Sequence, residues 1–155
     1  MARVRYVKGS GSGPAKAGGS TIRHSVQSVR ALYETEPEIA KAVLPKPLVP
    51  AVSPEIFVQF ANVAMHFSPE RTVRIGAATV GVACTHEGRA GYYVLAMPME
   101  GEFVVIGGRE KYGEPKKIAE TEFSLDGDQV NAKVTRHGVT FLELDGTVGA
   151  PASSP

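Results

Sequence analysis

The sequence predicts an α+β fold: a mainly antiparallel β-sheet curled into a barrel, with one or two short helices. Three observations predict it. Short runs rich in valine, isoleucine and phenylalanine recur between residues 56 and 144, and such runs read as strands. Asp126-Gly127 and His137-Gly138 separate the last of these runs, and a two-residue turn ending in glycine marks a hairpin because glycine accepts positive φ. One stretch before residue 45 has helical spacing instead. Short strands joined by tight turns favour a meander or barrel.

Residues 1–20 read as a flexible N-terminal segment. Within it, GSGSGPAKAGGS at 9–20 has the composition of a connector. It matches neither phosphate-binding motif. Gly19 stands where a Walker loop needs lysine, and Pro14 stands where the dinucleotide motif needs its third glycine. One domain is expected over residues 21–146. Its helix runs from Glu36 to Leu44: Thr35 and Glu38 have capping-box spacing, and Pro37 sits in the first turn, where its missing N–H costs little. Ile39 and Val43 lie four apart, followed by Ala40 and Leu44. Pro45 stops the helix, and Pro47 and Pro50 keep the next segment extended.

Strands are predicted over Ile56–Phe60, Val73–Ala83, Tyr92–Met97 and Phe103–Ile106, after which Gly107 and Gly108 break the pattern. A further strand runs from Ile118 to Leu125, turns at Asp126-Gly127 and returns from Gln129 to Arg136. It turns again at His137-Gly138 into Val139–Leu144, which ends at Asp145-Gly146. Residues 147–155, TVGAPASSP, read as a disordered tail.

The 155 residues are 43% hydrophobic, an ordinary globular value. Lysine and arginine number 17 against 16 acids, for a net charge of +1. So even a balance provides no field to attract nucleic acid or an anionic membrane, and neither is expected as a partner. No apolar run approaches the roughly 20 residues of a membrane span, and residues 1–8 lack the apolar stretch of a secretory signal. The single cysteine, Cys84, excludes an internal disulfide. A cytoplasmic protein is expected. His24, His66, His86 and His137 have no metal-ligand spacing, and no metal is expected. Cys84 reads as a small buried hydrophobe.

The chemistry concentrates in Gly107 to Lys117, GGREKYGEPKK. The stretch follows an apolar run, turns through glycines and ends in adjacent lysines after a proline. Only a neutral amine attacks a ketone, and with a reference pKa of about 10.4 only about one lysine in 2,500 is neutral at pH 7. Bringing that value near neutrality needs roughly 4–5 kcal/mol of selective penalty on the ammonium. Burial supplies such a penalty and a neighbouring cation adds to it. Strand alternation turns Lys117 away from Lys116, which leaves desolvation as the larger effect. The ordinary reading of two adjacent lysines is a pair of solvated charges.

Gly108-Arg109-Glu110 followed by Pro115-Lys116-Lys117 resembles the active-site signature of the acetoacetate decarboxylase family. Leu32 to Thr35, Leu44 to Leu48 and Phe60 to His66 resemble the family too, so that the likeness covers roughly residues 29–146. The resemblance implies that Lys116 is the Schiff-base lysine and Lys117 its companion. That family is a standing example of a lysine activated by desolvation or a neighbouring cation, so the activation logic comes with the resemblance. It further implies a cofactor-independent lyase, with no metal or organic cofactor, acting on a small β-keto acid such as acetoacetate; a homo-oligomer is expected because a shortened domain leaves sheet edges to be covered. Arg109 and Glu110 are candidates for an ion pair orienting the turn. Tyr112 and Glu114 are candidate proton donors, and Met97 and Phe103 candidate pocket walls.

The sequence also departs from the family. The place of the family's glutamate falls near Ala77 or Ala78, with no carboxylate there. The place of its carboxylate-holding arginine falls on Val26, with Arg23 and Arg30 nearby. Family members continue beyond the point matching residue 155, so a shortened domain is expected. The missing glutamate favours a second reading, aldolase or dehydratase chemistry on a larger keto acid through the same lysine. A third is a non-catalytic ligand-binding member of the family.

Overall fold

The computed structural model describes residues 22–149. In chain order the elements are β1 (Arg23–Glu34), α1 (Pro37–Val43), β2 (Val49–Pro50), β3 (Glu55–Ser68), β4 (Arg71–His86), β5 (Arg89–Met99), α2 (Glu102–Tyr112), β6 (Lys116–Ile118), β7 (Glu120–Asp126), β8 (Gln129–Arg136) and β9 (Val139–Thr147). The α+β class and the dominance of antiparallel pairing are as expected.

The strands form two sheets. One has six strands in the order β1-β3-β4-β5-β6, with β2 alongside β4, and the other is the three-stranded meander β7-β8-β9. The expected barrel is not what the described residues form. Within the larger sheet β1 and β6 each keep one edge without a strand partner. All pairs but one are antiparallel; β5 and β6 run parallel.

That parallel pair corrects the reading of Phe103–Ile106 as a strand. Parallel neighbours need a crossover connection, usually a helix, and α2 is that connection. It takes up the apolar run 103–106 and buries Val105 and Gly108. The expected strand from Ile118 to Leu125 is likewise two strands in two sheets. Ala119, buried between them, donates its N–H to the Met99 carbonyl at 3.0 Å. β1 was not expected. It is an edge strand with only Val29 and Ala31 half-buried, so its composition is mostly polar.

The helix α1 lies where predicted, but without the capping box. Its N-cap is Glu36, with no side-chain cap bond, which leaves Glu38 one position short of closing a box. Ala40 faces inward against Ile56 and Val82, while Ile39 and Val43 are exposed.

The core lies between the sheets. Val58 and Phe60 of β3 and Ala78 of β4 pack against Ala119 and, in β8, Ala132 and Val134. These side chains alternate along their strands, so a single face of the larger sheet carries them. Both predicted hairpin turns are present, with Gly127 at φ 60° and Gly138 at φ 75°. The final strand runs on through Thr147, and the Val148 N–H donates to the Asp128 carbonyl at 2.7 Å, so these two residues of the expected tail pair with the small sheet. The expected flexible segment at 1–20 and residues 150–155 lie outside the described residues. Among the described residues no helix is long and apolar enough to cross a membrane.

Candidate active site

α2 ends at Gly113, whose left-handed conformation (φ 67°) closes the helix. The Gly113 N–H donates to the Arg109 carbonyl at 3.1 Å, and the Glu114 N–H donates to the Gly108 carbonyl at 3.3 Å. The chain then reverses into β6, where the Met97 N–H donates to the Pro115 carbonyl at 3.1 Å. Lys116 is thereby placed beside Met97.

Lys116 is folded back under α2. Its side chain is 14% exposed, and its Nζ lies 2.7 Å from Glu114 Oε2. The contact is an ion pair by distance but not an aligned hydrogen bond: Oε2 is buried and has no hydrogen-bond partner among the described residues. Gly108 makes the niche. A methyl group on its Cα would stand 2.6 Å from Lys116 Nζ and would also collide with Glu114 Oε2. Arg109 does not pair with Glu110. Instead its Nη1 donates to the Lys116 backbone carbonyl at 3.1 Å, tying α2 to the strand that carries the lysine.

The sheet register extends this site sideways. Lys116 lies beside Met97. Met97 falls opposite Thr79 in the register set by Ala77↔Met99 and Val80↔Ala96. Thr79 pairs with Gln59, and Gln59 with Arg30. Directly opposed residues share a face, so Arg30, Gln59, Thr79, Met97 and Lys116 form one row across five strands. The row exists because β5 carries a bulge. Gly81 pairs with Val94 but Val80 with Ala96, which leaves Leu95 as an extra residue. Without it Ala96 would stand in the row, and Met97 and Lys116 would face the other way.

The family model for acetoacetate decarboxylase (ADC) matches residues 11–155. The chain belongs to that family. Acetoacetate decarboxylases of Burkholderia vietnamiensis and Ralstonia nicotianae are each 32% identical to it, over 98 and 96 residues. Those stretches cover 63% and 62% of this chain but 38% and 37% of theirs, well under half of these relatives' length. Among solved structures, the enduracididine biosynthesis enzyme MppR, complexed with the condensation product of pyruvate and imidazole 4-carboxaldehyde, superposes with a TM-score of 0.73 at 20% identity, covering 85% of this chain and 57% of MppR. An acetoacetate decarboxylase-like enzyme from Sphingomonas wittichii gives 0.67 at 21% identity, covering 84% and 58%. At such identities these two show the shared fold alone.

The remaining candidates of this ADC-family chain separate by face. Ala77 shares the face of Lys116, whereas Ala78 is buried in the core on the other. Val26 is exposed on β1, and Arg30, four residues further, is the arginine in the row of the lysine. Lys117 points to the opposite face. There it lines a cavity of about 360 Å³ with Ala96, Pro98, Arg136, His137 and Phe141. Tyr112, at the end of α2, is 67% exposed, with its ring 5.0 Å from Lys111 Nζ. Phe103 is exposed in the first turn of α2 rather than on a strand beside Met97.

Sequence reasoning missed Gln59, Thr79 and the niche role of Gly108. It missed Glu100 as well, whose carboxylate accepts from the Gly76 N–H at 2.9 Å and from the Thr121 N–H and hydroxyl at 3.3 and 3.2 Å. Glu100 joins the two sheets and borders a cavity of about 500 Å³ with Gln27, Asn62 and Arg74. The side chains of Asn62 and Arg74 lie on the face away from Lys116, so that cavity is separate from the lysine row. His66 bridges Ser25 and Thr72 through its two ring nitrogens, at 2.9 and 3.0 Å. Among the described residues no group of three His, Cys, Asp or Glu could hold a metal ion.

Proposed function

We propose that the chain is a cofactor-independent Schiff-base lyase that decarboxylates a small β-keto acid such as acetoacetate, with Lys116 as the reacting amine. One observation carries the reading: Lys116 Nζ is withdrawn into a niche beside Glu114, on the sheet face that also presents Arg30. Membership of the ADC family supports it.

In this reading the Lys116 ammonium passes a proton to the adjacent Glu114 carboxylate, and the neutral amine attacks the ketone carbon. Water leaves, with Glu114 as the nearest group to exchange protons with the nitrogen. The protonated imine draws the electron pair of the breaking carbon–carbon bond as carbon dioxide departs. The resulting enamine takes a proton on carbon, and hydrolysis frees the ketone and the lysine. Arg30 shares the face of Lys116 but stands too far along the sheet to hold the carboxylate of so small a substrate. Met97 walls the site. The enzyme acts in the cytoplasm as a homo-oligomer, which also covers the strand edges that β1 and β6 leave open.

Aldolase or dehydratase chemistry on a larger keto acid is the second reading. Two observations favour it. No carboxylate stands at Ala77 or Ala78, and Arg30 is four strands from Lys116, roughly 19 Å along the sheet at about 4.8 Å per strand. MppR, the structural neighbour, has been seen with pyruvate and with a pyruvate condensation product.

The test is to incubate the protein with acetoacetate or with pyruvate, reduce with borohydride, and map the mass increment. Labelling confined to Lys116 is expected, and carbon dioxide release from acetoacetate separates decarboxylase from aldolase. A folded sample that takes no label at Lys116 from either ketone refutes the imine and leaves a ligand-binding protein.

A further inference from the structure

β1 is the long open edge of the larger sheet. All 12 of its residues pair with β3 without a shift, and among the described residues its other side has no strand partner. The opposite edge, β6, is only 3 residues long. Open edges are commonly blunted by proline, lysine or a bulge, and β1 has none of these. It also holds apolar side chains out to solvent. Val26 and Leu32, on the face of Lys116, and Tyr33, on the other, are each at least half exposed.

We infer that β1 is the docking surface for a second copy of this chain, the two β1 strands pairing antiparallel about a two-fold axis at Val29. Symmetry limits the possible registers. A two-fold axis that exchanges antiparallel neighbours stands perpendicular to the sheet. It therefore keeps each face on its own side and opposes only residues of the same face. Centred on Val29, the pairing sets Val26 against Leu32 twice and His24 against Glu34 twice. Apolar then meets apolar, and a basic ring meets a carboxylate. Centring one residue later opposes Arg30 to itself and Val26 to Glu34. Centring one residue earlier opposes Val26 to Arg30 and His24 to Leu32. Of the three, the Val29 register is the one that is complementary. Arg30 stands beside that axis, and its Nε and Nη2 donate to Gln59 Oε1 at 3.2 and 2.9 Å. Gln59 lies on β3, away from the open edge, so each arginine is drawn back from its symmetry mate. The inference rests on the homo-oligomer proposed above, to which it gives a surface and a register, and not on the chemistry at Lys116.

The experiment oxidises Val26→Cys, Leu32→Cys and the double variant with diamide and reads cross-linking on non-reducing gels. The wild type, whose Cys84 is buried, is the control. Directly opposed residues stand about 4.5–5.5 Å apart at Cα, within reach of a disulfide. The double variant is therefore expected to form a covalent dimer. Neither single variant is, because each residue and its symmetry mate are offset by about six positions, roughly 20 Å. The same offset prevents a bridge within one chain. An equal mixture of the two single variants is expected to cross-link as well. Sedimentation reads association directly, and Leu32→Lys is expected to weaken it at least about tenfold, the scale of one apolar side chain buried at an interface. A monomeric wild type overturns both the inference and the homo-oligomer. An oligomeric wild type overturns the β1 pairing alone if its double variant does not cross-link, if its single variants cross-link as readily, or if Leu32→Lys leaves association unchanged. Circular dichroism of each variant separates these outcomes from misfolding, and borohydride trapping at Lys116 reports the imine independently of them.

Discussion

The two faces of the six-stranded sheet make opposite use of the same strands. One face packs Val58, Phe60, Ala78 and Val82 against the small sheet and α1, and those side chains are nearly or wholly buried. The other presents Arg30, Gln59, Thr79, Met97 and Lys116 in a row. Adjacent residues fall on different sides. The Lys116 side chain is 14% exposed beside Glu114, while Lys117 stands exposed near Arg136 and His137. Identical side chains on adjacent residues thus meet different surroundings because a strand alternates its faces. One face packs the core between the sheets, and the other carries the lysine proposed to react.

Substitutions can test that division, from the largest expected effect to the smallest. Phe60→Ala, on the packed face, should cost about 3–5 kcal/mol of stability, read from denaturant unfolding, since Phe60 is fully buried. Lys116→Ala, on the opposite face, should lower borohydride trapping at least about a hundredfold and cost about 1–3 kcal/mol of stability, because it strands the buried Glu114 Oε2 without its cation. Gly108→Ala should divide the two properties within one residue. Alanine favours a helix over glycine by up to about 1 kcal/mol, but the added methyl would intrude on Lys116 Nζ. A melting temperature no lower than wild type, with trapping reduced about tenfold, is the expected pair of results. Lys117→Gln should change trapping by less than about twofold, because its side chain lies on the other face and exposed charges act weakly through solvent. A large loss there would mean that the faces are coupled.

The legible part of the structure was local. The hairpin turns at Asp126-Gly127 and His137-Gly138 occur where glycine and strand runs place them. Helix α1 falls within Glu36–Leu44 because proline brackets it. The lysine stretch drew notice because its residues are close in sequence. Gln59 and Thr79 gave no such signal. Each is an ordinary polar residue in a strand, and its place beside Arg30 or Met97 exists only once long-range register is set. Phe103–Ile106 misled for a related reason. Its β-branched content suits a strand, but the chain must cross between parallel neighbours there, and tertiary context overrides so short a preference.

By itself the sequence determined which residues could do chemistry, where the chain turns, and that neighbouring lysines on a strand must part company. Those are consequences of side-chain type and of backbone geometry over a few residues. Only the tertiary structure decided which lysine is enclosed, and which arginine, glutamine and threonine stand in line with it. That outcome depends on the pairing of strands distant in sequence and on the single extra residue at Leu95, which turns the end of β5, and Lys116 with it, onto the face of Arg30. A one-residue shift reverses a strand's faces, and no local preference records it.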